Sequence, residues 1–547
     1  MNTITNSGPT ERFATELSEV HPNFRASARS LMRFLALRDS GSYASDECAA
    51  GVDIAAHRAA ILGKSPRGRD ACIMVTLPAE AGTNPTLVEE MLKAGMNVAR
   101  INCAHDDADT WHDMITNVRQ AATKSATECR IFMDLAGPKL HTGELAPGPR
   151  VIHIRPKRDP LGRIIAPRRV RLIPDDAVQR GSKSAVLSVP AECIDYAQVG
   201  DEFRLKDTRG KKRVLHVADK DDRGLVLESW KGAYIATGTK LRLVRQETGE
   251  KLAYRVGELP SVELPLLLRV GDKLVLDAEN IPGAPAREDA DGNVVEAAHI
   301  ACQQPEVFEF LSPGDPVSLN DGKICGVIRE VSADKVLVEI TEAKPTGSRL
   351  RGHRGINFPK SDIRLPGLTA NDRSNLPFVA AHADAVNLSF VRKPSDVALL
   401  QAELEHYPDS RLGTVIKIET MKAYGNLPQL MLAAMRKYPA AIMIARGDLA
   451  VECGWERLAE LQEDILSFCR AAGLPVIWAT QVLEHEARKG LPSRAEITDA
   501  AASQRADCVM LNKGPHILAA IRMLDSILRR MQSRQSKLLC AQQSGKM

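Results

Sequence analysis

Thr414-Val415-Ile416-Lys417-Ile418-Glu419 and Ala440-Ala441-Ile442-Met443-Ile444-Ala445-Arg446 are two short, nearly continuous apolar runs that end in ionisable residues. The second leads straight into Gly447-Asp448. An unpaired buried charge is costly, so charged groups at the end of a buried strand point to a site. A lysine and a carboxylate on one strand, with a second carboxylate on the next, suit a divalent metal and an anionic substrate. Comparable runs stand at 71–78, 97–103, 129–135, 385–390, 475–480 and 507–512, with amphipathic helical patterns between most of them, as at 85–94, 108–122, 456–472 and 516–531. Apolar, β-branched runs alternating with such helices predict parallel strands covered on both faces. Eight units predict an α/β architecture, a (β/α)8 TIM barrel rather than an open sheet, over residues 71–143 and 367–535. The carboxyl ends of the strands carry the chemistry in that fold. Lys417, Glu419, Asp448 and Thr480 all fall there.

The rhythm breaks between the third and fourth strands. Residues 144–366 lack helical periodicity and alternate in short segments broken by Gly, Pro and Asp, which predicts an inserted β-barrel-like lid domain. Gly200-Asp201-Glu202-Phe203-Arg204-Leu205 resembles Gly271-Asp272-Lys273-Leu274-Val275-Leu276 and Gly314-Asp315-Pro316-Val317-Ser318-Leu319. Convergent turn chemistry and duplication explain this equally well. Residues 1–70 are predicted to form a helical N-terminal extension, with helical spacing over 26–38 and a loop at 40–45. Fold capping and partner binding are both open readings for it. Residues 536–547 are read as a tail. The basic stretch 155–171 lacks interleaved aromatics and reads as a solvated loop.

Composition narrows the class. The 547 residues are 44% hydrophobic and 26% charged, ordinary for a globular protein of more than one domain. A formal charge of +4 argues against a dedicated nucleic-acid binder. Eleven cysteines include no Cys-x-x-Cys pair, so a zinc or redox motif is not expected. Cys72, Cys129 and Cys508 read as small buried apolar residues. No apolar stretch approaches membrane-spanning length and no signal peptide is visible, so a reduced, cytoplasmic setting is expected.

Several further stretches, in order, resemble the pyruvate kinase family. Ala94-Gly95-Met96-Asn97-Val98-Ala99-Arg100-Ile101-Asn102 is similar to its second-strand signature, and Asp134-Leu135-Ala136-Gly137-Pro138-Lys139-Leu140-His141-Thr142-Gly143 to the third-strand signature that opens into the lid. Asn320-Asp321-Gly322, Leu365-Pro366-Gly367-Leu368-Thr369, Lys417-Ile418-Glu419, Ala445-Arg446-Gly447-Asp448-Leu449, Ala479-Thr480-Gln481-Val482-Leu483 and Pro492-Ser493-Arg494-Ala495-Glu496 follow the same pattern. The resemblance implies phosphoryl transfer between phosphoenolpyruvate and ADP, giving pyruvate and ATP, the last step of glycolysis. It implies Mg²⁺, with Mn²⁺ as a substitute, held by Glu419 and Asp448. Lys417, Arg100 and Thr480 would be catalytic, and Arg100, Lys417, Gly447, Asp448 and Thr480 would bind substrate. Asn102, His105, His141, Asp321 and Arg354 stand on the nucleotide side, His105 as an organiser of the loop after the second strand. No nucleic acid and no membrane are implied as partners, and a homo-oligomer would accord with the family's habit.

The chain also departs from that family. Its arginine at the nucleotide phosphates is His141 here, its lysine after the third strand is Ala136, and its Ser-Gly-Glu-Thr loop after strand eight reads Asn512-Lys513-Gly514-Pro515. The lid is about twice the usual size. The family's C-terminal regulatory domain is expected to be absent, and effector control through it with it. Since these changes weaken the nucleotide side, two rival readings remain: a Mg²⁺-dependent 2-oxo acid lyase of aldolase type, and a non-catalytic phosphoenolpyruvate-binding regulator.

Many pyruvate kinases hold K⁺ with Asn, Ser, Asp and Thr side chains. Asn102 and Asp134 remain, but the serine is Ala104 and the threonine Leu135, while a family glutamate is Lys139. This pattern is similar to the K⁺-independent branch, with the Lys139 ammonium standing in for the ion. Turnover is therefore expected to be the same with and without K⁺; strict K⁺ dependence in an assay of pyruvate formation would refute the substitution.

Overall fold

The computed structural model describes residues 19–39, 52–177 and 185–543. Residues 1–18 of the extension, the loop expected at 40–45 and positions 544–547 of the tail lie outside the described residues. Eight strands close into a parallel barrel in chain order: β1 (Cys72–Thr76), β2 (Val98–Asn102), β3 (Arg130–Asp134), β4 (Ala385–Leu388), β5 (Gly413–Ile418), β6 (Ala440–Ala445), β7 (Val476–Ala479) and β8 (Cys508–Leu511). The helices α1 (Pro85–Ala94), α2 (Ala108–Lys124), α3 (Ala370–His382), α4 (Pro394–Leu404), α5 (Leu427–Ala434), α6 (Trp455–Ala472), α7 (Arg494–Ala502) and α8 (Ile517–Gln543) alternate with them. Helix starts follow local chemistry. Asn84 and Asp107 cap α1 and α2, while Thr369 with Asp372 and Ser493 with Glu496 form capping boxes on α3 and α7. The helix α8 runs on through the stretch read as the start of a tail.

Both faces of each strand are covered, which explains the unbroken apolar runs. The bore is filled by Met74, Val98, Phe132, Val415, Met443, Ile477 and Met510. Ile61 and Leu62, from the helix Ile54–Leu62, belong to the same cluster. They close its amino end, where Ile61 packs against Gly413 at the start of β5. The helix Arg25–Asp39 lies against α6, with Phe34 edge-on to Phe468 at 5.3 Å. Phe24, Leu31, Phe34, Ile61 and Leu62 are all buried. Each such side chain contributes roughly 1.5–3 kcal/mol on burial, so the described part of the extension is barrel core.

The insert between β3 and β4 resolves into two β units with separate cores. One is a seven-stranded sheet from Arg168–Pro174 to Lys251–Arg255, packed around Phe203, Leu215, Leu227 and Leu241. The other is a six-stranded sheet from Lys273–Asp277 to Ile356–Asn357, packed around Leu276, Ile300, Phe308 and Val338.

The three Gly-Asp repeats share one geometry. Gly200, Gly271 and Gly314 have φ of 96, 89 and 94°, which a side chain would strain. Each following aspartate accepts the N–H three residues back (Gln198, Arg269, Ser312) and donates its own N–H to that residue's carbonyl. The recurrence is thus a turn that ties itself off before a strand.

Among the described residues no helix is long and apolar enough to cross a membrane. Cys72, Cys129 and Cys508 are buried and free; burial pushes the first two thiols up to about 11 and about 12, which leaves them unreactive.

Candidate active site

The carboxyl ends of the strands bring six charged groups together. Asp134 ends β3 and is almost fully buried. Its Oδ1 accepts Arg100 Nε at 3.0 Å, and its Oδ2 accepts Arg100 Nη2 at 2.8 Å. Asn387 Nδ2 donates to it at 2.5 Å and Lys417 Nζ lies 3.3 Å away. Arg100, on β2, also donates to Thr76 Oγ1 of β1 at 2.9 Å. Lys417 Nζ stands 3.0 Å from Glu419 Oε1 and donates to Ser389 Oγ at 2.8 Å. Ser389 in turn donates to the Leu135 carbonyl at 2.7 Å. Glu419 Oε2 accepts the Phe390 N–H at 2.5 Å. Lys139 Nζ lies 2.8 Å from Asp448 Oδ1 and 5.4 Å from the centre of the Phe390 ring.

Charge therefore alternates through the site: three cations face three carboxylates. Burial alone would push the Asp134 carboxyl up, but Arg100 and Lys417 hold it at about 2. Burial would push the Lys417 ammonium down, yet Glu419 and Asp134 outweigh it and its pKa is raised. Lys139 is raised against its own burial by Asp448. Glu419 is raised by burial and by the Asp448 charge, despite Lys417. His141 is lowered by burial and by Lys139.

Thr480 follows β7 directly. Arg446, held by Asp499 at 2.5 Å, donates to the Thr480 carbonyl, also at 2.5 Å. A Cβ at Gly447 would come within 2.9 Å of Thr480 Oγ1, so a larger residue there would have to displace that hydroxyl.

A cavity of about 570 Å³ opens over these groups. Arg100, Asn102, His105, Lys139, His141, Lys417, Glu419, Gly447, Asp448 and Thr480 all line it. Asp321 and Arg354 do not: the Asp321 side chain is 63% exposed beside Lys323, and Arg354 is exposed with its backbone laddered to Thr142. Sequence reading missed Asn387 and Ser389, polar residues in the otherwise apolar β4 run, and Gln303 and Gln304, which reach the cavity from the insert. Polar residues inside that run were the available signal; nothing marked the glutamines. A larger hollow of about 770 Å³ lies on the seven-stranded sheet of the insert and shares no residue with this one.

No group of three or more metal-type side chains exists among the described residues. Glu419 and Asp448 both line the cavity and offer hard oxygen donors, with Lys417 beside the first and Lys139 beside the second. That donor set fits a hard divalent cation whose remaining ligands are substrate and water oxygens.

The geometry defines a (β/α)8 barrel with three cations and three carboxylates gathered at the carboxyl ends of its strands. Residues 68–164 and 265–516 match the family model for the pyruvate kinase barrel domain, and the chain belongs to the pyruvate kinase family. It is 32% identical over 210 residues to pyruvate kinase from Clostridium perfringens, covering 38% of this chain and 42% of that one. It is 31% identical over 300 residues to the enzyme from Thermococcus litoralis, covering 52% and 58%. To human pyruvate kinase PKLR it is 32% identical over 233 residues, covering 41% and 39%. The chain thus spans about half the length of the curated relatives it matches.

Asp134→Asn should destabilise the barrel by about 3–5 kcal/mol, because Arg100 and Lys417 lose the carboxylate that offsets their burial. The check is the midpoint of the barrel's thermal transition. A folded pKa of about 2 against about 3.9 unfolded means the contribution is full above that upper value and fades as pH falls through the lower one. The gap between native and variant should narrow over that window, by about 2–3 kcal/mol.

Proposed function

We propose that this chain is a pyruvate-kinase-type phosphotransferase, moving the phosphoryl group of phosphoenolpyruvate to ADP with Mg²⁺. The observation that carries the reading is the convergence of Arg100, Lys417, Glu419 and Asp448 on one cavity at the strand ends. In the transfer, the bond from phosphorus to the enol oxygen breaks and a bond to a β-phosphate oxygen of ADP forms. The enolate left behind takes a proton at carbon to become pyruvate. Such reactions depend on positioning and on placing fixed charge where it develops.

Lys417 is held protonated, so it serves as a fixed cation against the phosphoryl in flight and not as a base. Arg100, pinned by Asp134 and Thr76, presents its guanidinium edge to the phosphate from the side. Thr480, beside Gly447, stands where a hydroxyl can pass a proton to the enolate carbon through water. Glu419 and Asp448 would hold the divalent cation, Mg²⁺ or Mn²⁺, which supplies neutralising charge to the phosphoryl and enolate oxygens. Three cations already offset three carboxylates, so an anionic substrate needs that added charge. Lys139 acts as the resident monovalent cation, which removes the need for K⁺. Asn102, His105 and His141 face the nucleotide, joined by Asp321 and Arg354 from the insert. A cytoplasmic setting at the last step of glycolysis and self-assembly belong to the same reading.

A coupled assay of pyruvate from phosphoenolpyruvate and ADP with Mg²⁺ tests it. Turnover is expected, and Glu419→Gln should cut kcat/KM by about a hundredfold or more. A metal-loaded native protein that forms no pyruvate would sink the reading and revive the lyase or sensor alternatives. His141 is held neutral at pH 7, so His141→Arg should lower the KM for ADP by about five- to tenfold through a charge-assisted contact. An unchanged ADP saturation curve would show that the nucleotide phosphates do not pass His141.

A further inference from the structure

The seven-stranded sheet of the insert carries an unbalanced cationic face. Strand alternation turns Phe203, Leu205, Leu215, Leu241 and Leu243 inward to the core and leaves Arg204, Lys206, Lys212, Lys240, Arg242 and Lys251 exposed. These six line the hollow of about 770 Å³. Like charges stand directly opposite one another across the strands: Lys206 faces Lys212, Arg204 faces Arg242, and Lys240 faces Arg255. Each such pairing destabilises a sheet, and any neutral polar residue would satisfy the alternation. The nearby carboxylates are already engaged, Glu202 by Arg204 and Asp207 by Arg209 and Arg213. Among the described residues none lies within ion-pair distance of Lys206, Lys212, Lys240, Arg242 or Lys251. Residues 165–264 fall outside the match to the family's barrel model, so barrel chemistry does not account for this face.

We propose that this face binds a linear polyphosphate anion. The cations extend over four adjacent strands, three spacings or about 14 Å, too long for one phosphate and suited to several linked ones. Arginine among them offers a two-pronged match to phosphate oxygens, and Thr208 and Thr239 add hydroxyl donors on the same wall. No aromatic side chain lines the hollow, so it has no platform for stacking bases, which sets it apart from a single-stranded nucleic-acid groove. The inference is independent of turnover at the barrel.

Sodium tripolyphosphate titrated calorimetrically into the full chain is the test, at low and at physiological ionic strength. Binding is expected, weakening as salt rises. Lys206→Gln/Lys240→Gln/Arg242→Gln should bind at least about tenfold more weakly, the change expected when several phosphate contacts are lost together. Part of the basic stretch 155–171 is no loop but an antiparallel hairpin of Lys157–Arg158 and Ile164–Ala166, outside the seven-stranded sheet; Lys157→Gln/Arg158→Gln/Arg163→Gln, which removes the same charge from it, should bind like native. Without ligand the first variant should melt no lower than native, since repulsion has been relieved, and tripolyphosphate should raise the melting temperature of native and of the hairpin variant but scarcely that of the first variant. Equal losses in both variants, no binding at millimolar tripolyphosphate, or tighter binding of a single-stranded oligonucleotide or a polyglutamate peptide of matched charge would each overturn the proposal.

Discussion

The site depends on one desolvated carboxylate. Asp134 sits at the end of β3 with Arg100 on one side and Lys417 on the other, and neither cation would be tolerated so deep without it. Its two oxygens fix the guanidinium in plane and draw the ammonium to within reach of Glu419. That carboxylate is held in turn by the Phe390 N–H. Strands two, three, five and six are locked together by charge where their apolar interiors stop. The result is a cavity whose cations cannot swing away to solvent, so their field is already aimed before any ligand arrives.

Much of this was legible beforehand because the barrel writes itself in a simple code. Strands buried on both faces read as short apolar runs, and an ionisable residue at the end of such a run has few structural excuses. Lys417, Glu419 and Asp448 were visible for that reason, Thr480 by its place at a strand end and Arg100 through motif likeness, and all five line the cavity. Asp134 was visible only as an oxygen donor spared by substitution; that it joins two cations depends on which strands are neighbours. Ser389 and Asn387 were hidden because a polar residue in a strand can face a bore, a helix or a site, and sequence does not say which. Asp321 and Arg354 were found through motif likeness alone, and both stand exposed on the insert rather than in the cavity wall.

The insert shows a different limit. Its alternation announced β structure, but alternation cannot count cores. Two sheets with separate interiors produce the same pattern as one larger sheet. The Gly-Asp repeat, with its likeness across both units, reflected turn chemistry: a glycine at positive φ followed by an aspartate that closes on the residue three back. The described N-terminal helices were legible as helices, while their place under the barrel was not. Ile61 and Leu62 look in sequence like any helix's apolar side.

The insert enters and leaves the barrel through neighbouring rungs, His141 lying opposite Gly355 and Thr142 opposite Cys302. β3 and β4 must pair in parallel although the whole insert separates them. An unstructured loop of that length would tax the encounter of the two strands with closure entropy. Two units with cores of their own can instead condense first and hand β3 and β4 to each other already close together. The long interruption would then work as a clasp during assembly, turning one of the barrel's long-range pairings into a local one.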